Sequence, residues 1–244
     1  MASISETGHA KNVANFQELI SFCKGYAETY NPVNTRLTIT ELEKLYTTAS
    51  EKLEEVATAK AAYSNAVNNR KNAFANLKSL ATKTLNSFIV SGADALAIQN
   101  AKTINRKLQG SSKKTTVEKE KTIEESTNKT ISTSQQSYDQ LINHFANLIQ
   151  VLVQNTIYNP NEEELKTTSL QAKLNQLQEN NTKLINAYTQ YSNAMIQRNN
   201  TLYNPLTGLV QTSKEVKLYV KSIFGTKSPK YKQISGLEFK VIRK

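Results

Sequence analysis

Residues 34–91 read NTRLTITELEKLYTTASEKLEEVATAKAAYSNAVNNRKNAFANLKSLATKTLNSFIVS and contain neither glycine nor proline. A run of this length, filled with Ala, Leu, Lys, Glu, Thr and Asn, leaves a helix as its only regular structure. Apolar residues recur along it at alternating steps of four and three: Leu42, Tyr46, Ala49, Leu53 and Val56, then Tyr63, Val67, Phe74 and Leu77. That spacing makes a coiled-coil-like seam. Thr40, with Glu43 three residues on, resembles a capping box in front of the run. Upstream, Val13, Phe16, Leu19, Ile20, Cys23, Ala27 and Tyr30 trace a second stripe that Asn31-Pro32 ends. A first helix, A, is therefore expected from about residue 12 to 30, and a long helix, B, from about residue 38 to 75.

The chain also matches itself. At an offset of 128, Tyr30-Asn31-Pro32 meets Tyr158-Asn159-Pro160, Leu37 meets Leu165, and Leu42 meets Leu170. Further along, Tyr63-Ser64-Asn65-Ala66 meets Tyr191-Ser192-Asn193-Ala194, and Arg70 meets Arg198. In helix A the offset is 129, pairing Val13, Phe16, Leu19-Ile20 and Cys23 with Ile142, Phe145, Leu148-Ile149 and Leu152. Two copies of one helical unit are read from this. In the second copy Asn204-Pro205 and Thr207-Gly208 fall where the first has Asn76-Leu77 and Ser79-Leu80. Because proline is tolerated at a helix start and costs about 3 kcal/mol inside one, each long run is split there into B and a third helix, C.

Helix B would span about 57 Å and helices A and C about 30 Å each, so that A covers half of B and C the other half. Such a unit leaves one side of its apolar stripe wet. The expectation is thus an all-α, elongated helical bundle of two internally duplicated units, packed face to face as one domain with pseudo-twofold symmetry. Its parts are a flexible N-terminus at 1–10, repeat 1 at 11–109, a polar linker at 110–136, repeat 2 at 137–224, and a basic extended tail at 225–244. The linker has almost no large apolar residue with which to repay its ordering entropy. The tail carries Pro229 and then alternates Leu237, Phe239 and Val241.

Charge is concentrated. The 244 residues sum to +11, yet residues 102–121 hold seven Lys or Arg against two Glu, net +5, and residues 214–244 hold nine against two, net +7. The remainder is −1, so the body is nearly neutral. The candidate basic surface comprises Lys102, Arg106, Lys107, Lys113 and Lys114 after repeat 1, and Lys217, Lys221, Lys227, Lys230, Lys232, Lys240, Arg243 and Lys244 at the other end. Such a field attracts phosphates or anionic headgroups, and Tyr219, Phe224, Tyr231 and Phe239 could stack on unpaired bases.

Within the shared string Tyr-Ser-Asn-Ala-x-x-x-Arg, helical spacing puts Tyr63 and Arg70 on one face, and likewise Tyr191 and Arg198. The arginines stand where the seam calls for an apolar side chain. They are read first as register-fixing cross-links, and second as a pair of anion sites. Nothing resembles a catalytic or cofactor constellation. There is no Gly-rich phosphate loop, no HExxH, no GxSxG and no Glu-x-x-His pair. One cysteine and two histidines provide neither a disulfide nor a zinc site. His9 is expected in a frayed end, His144 at a surface or boundary, and Cys23 in the core. No apolar run approaches the roughly 20 residues that span a bilayer, and no secretory pattern opens the chain, so a cytoplasmic location is the default.

The segment NAKTINRKLQG at 100–110 and the stretch GLEFKVIRK at 236–244 resemble uncharacterised all-helical proteins of Bacteroidota-type bacteria. The resemblance implies a bacterial cytoplasmic setting and carries no function. The residues favour a non-enzymatic structural or protein-interaction bundle without cofactor or metal, its partner another protein or a second copy. Binding of nucleic acid or an anionic surface through segments 102–121 and 214–244 is the alternative.

Overall fold

A computed structural model describes residues 4–110 and 136–242. Eight α-helices follow one another: α1 Ile4–Gly25, α2 Ile39–Phe74, α3 Leu77–Val90, α4 Ala95–Gln109, α5 Tyr138–Val153, α6 Thr167–Tyr203, α7 Leu209–Phe224 and α8 Pro229–Ser235. No strand occurs among the described residues, so the fold is all-α. The linker expected at 110–136, with Lys113 and Lys114, lies outside the described residues except at its two ends, as do Arg243 and Lys244.

The described residues form two compact units, one drawn from Met1–Ser64 and Ala187–Lys244, the other from Asn65–Asn186. In the first, Phe16, Leu19 and Cys23 of α1 and Leu42 and Ala49 of α2 share a core with Leu202, Leu209, Val216 and Val220 of α6 and α7 and with Ile234 of α8. In the second, Leu77, Ala81 and Phe88 of α3 and Ala101 and Leu108 of α4 share a core with Phe145, Leu148 and Leu152 of α5 and Leu170 and Leu177 of α6. Each core thus draws on both halves of the chain, α1 with α7 and α8 in one and α3 and α4 with α5 in the other. This corrects the expectation that C covers half of its own helix B, whereas A does share a core with its own. Between α2 and α3 the backbone of Asn76 leaves the helical region, at φ −101° and ψ 5°.

The helix C expected after α2 is two helices, α3 and α4, whereas the one expected after α6 is α7, with α8 falling in the segment expected as a tail. Gly92, at φ +83°, ends α3, and the Asp94 carboxylate starts α4 by accepting from the N–H groups of Leu96 and Ala97. Gly225, at φ +80°, ends α7, and the Ser228 hydroxyl with Pro229 behind it starts α8. A left-handed residue closes a helix at little cost only when it lacks a Cβ, and an Asp or Ser side chain then meets the unpaired amides of the next one. The expectation of a wholly extended segment at 225–244 is corrected accordingly: residues 229–235 are helical, and residues 237–242 follow without regular secondary structure.

The YNP segments fold alike. The Tyr30 hydroxyl donates to the Leu37 carbonyl at 2.7 Å, and the Tyr158 hydroxyl to the Leu165 carbonyl at 2.8 Å. Each spans a loop that ends in a single 3-10 turn, at Thr35–Leu37 and Glu163–Leu165. Both tyrosines are buried, and burial is the main reason their hydroxyls are held well above the usual phenol range.

Candidate interaction surface

The four residues singled out from the repeated string occupy unequal places. Tyr63 and Tyr191 meet each other, with rings 6.0 Å apart and nearly parallel at 11°, and Tyr188 flanks Tyr63 at 5.7 Å. Arg70 is half-buried on α2. One guanidinium nitrogen donates to Asn181 Oδ1 at 3.1 Å, the guanidinium carbon lies 4.0 Å above the Tyr138 ring, and Asn181 in turn donates to Asp139 at 2.7 Å. Arg198 is 1% exposed, and its Nε and one terminal nitrogen donate to Asn199 Oδ1 at 3.2 and 2.9 Å. Arg70 tethers α2 to α6 and, through its stacking, to α5. Arg198 donates to the neighbouring residue of its own helix. The positions that align with Asn181 and Tyr138 in the self-comparison are Leu53 and His9.

Both histidines are buried, correcting their placement in a frayed end and at a surface. His9 is 1% exposed; its Nδ1 lies 2.5 Å from the Tyr203 hydroxyl. His144, on α5, is buried with Nε2 making no hydrogen bond. Burial, and secondly the positive charge of Lys107, hold its imidazole below the ordinary 6.5. The unfolded chain therefore takes up a proton at a higher pH than the folded one. The stability contribution of neutral His144 is complete above 6.5 and is lost as pH falls from there through the folded value. Chemical unfolding at about pH 7.5 and about pH 5.5 should show the wild type losing stability on acidification and His144→Gln losing less. Cys23 is 1% exposed, its thiol pushed up to about 12 chiefly by burial, and it is no nucleophile.

The basic set divides by unit. Lys102, Arg106 and Lys107 are exposed on the last turns of α4, with Arg106 donating to the Thr103 hydroxyl at 3.2 Å. In the other unit Lys221, Lys227 and Lys232 are exposed. Lys230 sits over the rings of Phe224 and Tyr26, at 4.6 and 5.7 Å. Lys240 pairs with Glu238. Lys217 is structural: its ammonium donates to the carbonyls of Ser235 and Leu237, where α8 leaves its last carbonyls unpaired. The aromatics proposed for base stacking are also spent on packing. Tyr219 meets Tyr30 edge-on, Phe224 meets Tyr26 edge-on, Tyr231 lies against the core, and Phe239 lies against it beneath Lys217.

What the sequence did not reveal is how residues 236–242 are held. On α1, the Asn12 side-chain amide brackets one residue, donating to the Lys240 carbonyl at 2.8 Å and accepting from the Lys240 N–H at 3.0 Å. One turn along, Asn15 Nδ2 donates to the Glu238 carbonyl at 2.7 Å. Both asparagines are buried, although asparagine is a poor residue for a helix interior. Tyr203 links this pair to His9 by accepting from Asn12 at 3.3 Å. Gly8 completes the contact by close approach, since a Cβ there would run into the Ile242 side chain. Beside the asparagines opens a groove of about 940 Å³, walled by Lys11 and Glu18 on α1 and by Glu238 and Lys240 opposite.

Among the described residues no three His, Cys, Asp or Glu side chains gather as metal ligands, and no helix is long and apolar enough to cross a membrane. No protein-family model, curated protein or solved structure matches this chain.

Proposed function

We propose that this chain is a non-enzymatic helical protein that acts by binding another protein. The observation that carries the reading is the groove beside α1: a cleft of about 940 Å³ with main-chain-binding asparagines at its floor and charges of both signs on its walls. Mixed charge around a partly apolar floor suits a polypeptide better than a polyanion, since opposed carboxylates repel phosphate. Affinity capture on the tagged full-length chain from its native cells, with and without nuclease, tests the reading. A protein retained after nuclease treatment supports it; recovery that disappears with nuclease favours the second reading.

That second reading, binding of nucleic acid or an anionic surface, is supported by the exposed lysines Lys221, Lys227 and Lys232 and by the Lys102–Lys107 cluster. It loses the stacking platform, because Tyr219, Phe224 and Phe239 pack inward. If it holds, log affinity should fall with log salt by about 0.7–0.9 per phosphate contacted, with no preference for single strands. Titrating labelled DNA at several salt concentrations measures both.

The same reading includes descent from a duplicated unit with pseudo-twofold symmetry. It is supported by the matched Tyr30–Leu37 and Tyr158–Leu165 bonds and by the mutual stacking of Tyr63 and Tyr191, as expected for equivalent residues beside a twofold axis. The unlike surroundings of Arg70 and Arg198 mark divergence after that event.

A further inference from the structure

We infer that the Asn12/Asn15 face of α1 is a receptor for an extended peptide, and that residues 236–242 of this chain are its resident, displaceable ligand. The inference rests on the interaction reading and supplies the chemistry of the partner: an unfolded segment with apolar residues at alternate positions. Recognition runs through the main chain. Asn12 takes both the N–H and the C=O of residue 240, and Asn15 takes the C=O of residue 238, so two buried amides three residues apart on the helix match the two-residue repeat of an extended edge. Side-chain amides bonded to a backbone in this way read conformation, not sequence. Selectivity comes from the other parity: Leu237 and Phe239 pack against the core rim, while Glu238 and Lys240 point to the groove and pair with each other.

The resident segment is held lightly. Its charged residues are exposed, Val241 is 52% exposed, and its backbone lacks the i to i−4 bonds that fix the helices on either side. A segment with this little burial is expected to open without unfolding the helices beneath it. Opening would uncover Asn12 and Asn15, leaving Asn12 its bond to Tyr203 and exposing amides placed to take another main chain.

The test uses the full chain and a fluorescein-labelled peptide of residues 236–244, GLEFKVIRK, followed by anisotropy. In the wild type the tethered segment competes at an effective concentration on the order of millimolar, so binding in trans is weak. Leu237→Ser with Phe239→Ser weakens the resident segment and leaves α1 untouched, and should tighten peptide binding at least tenfold. Adding Asn12→Leu should abolish it. Equal binding to wild type and double variant, indifference to Asn12→Leu, or equal binding of a scrambled peptide would each overturn the proposal. Hydrogen exchange on the wild type gives a readout that needs no variant. The Lys240 amide should exchange at least tenfold faster than the amides in the middle of α1 and α7, whereas exchange only together with them would refute a displaceable segment. Peptide binding without any protein captured from cells would count against the general interaction reading alone, and the converse result against this one alone.

Discussion

Phe145→Ala is expected to destabilise the unit formed by residues 65–186 by about 3–5 kcal/mol, and Phe16→Ala to do the same to the other unit. Both rings are fully buried, and each is a large side chain in its own core: Phe145 shares one with Leu77, Phe88 and Leu108, and Phe16 shares one with Leu19, Leu209 and Val216. Truncation loses the transfer energy of the ring and leaves a cavity that helices pinned on several sides close only in part. Urea unfolding followed by circular dichroism would measure the loss, and hydrogen exchange would locate it. Phe145→Ala should speed exchange in α3, α4 and α5, and Phe16→Ala in α1 and α7. If either variant loosens all the helices equally, the two cores melt together; if both cost under about 1 kcal/mol, the packing described for these rings is wrong.

Arg198→Ala should be nearly as damaging, at about 2–5 kcal/mol, while Arg70→Ala costs about 1–3 kcal/mol. The two arginines come from the same repeated string, yet only Arg198 is fully enclosed, so its loss removes the volume of a long side chain as well as the donors that Asn199 accepts from. Arg70 keeps one side in solvent, and its removal frees Asn181 Oδ1 and uncovers Tyr138. Methionine separates volume from charge. Arg70→Met should cost little, because an unbranched chain still covers the tyrosine ring, whereas Arg198→Met should retain a clear loss from unmet polar groups. Thermal melts of the four variants would rank them. Equal, small effects at both positions would mean that the guanidinium groups hold nothing in register.

The helical class and the long helices were legible because their signals are periodic or compositional. Residues 34–91 lack helix breakers, the stripes of α1 and α2 recur at three and four, and the YNP turns announce themselves twice. What escaped was set by contacts without a period. Asn12 and Asn15 look like ordinary polar residues on a helix, and their partners lie 228 and 223 positions away. His9 sits in a polar opening segment that reads as frayed, and its hydrogen-bonding neighbour, the hydroxyl of Tyr203, lies 194 residues on. Helix α8 was hidden by its length: it has seven residues, too few for a hydrophobic stripe, and its cap at Ser228 became meaningful only once Gly225 was known to turn. The exchange of helices between copies was illegible for a different reason. Self-comparison shows which segments are alike, but an apolar stripe fits either neighbour equally well.

The division of the chain into units also sets an order of events during synthesis. Residues 65–186 form a continuous stretch, whereas the other unit needs α1 and the first part of α2 together with α7 and α8. A ribosome adding about 5–20 residues per second releases the first half of that unit on the order of ten seconds before the second half. During that interval Val13, Phe16, Leu19 and Ile20 have no α7 to cover them, so α1 waits, partly uncovered, for a helix made after the whole of the other unit.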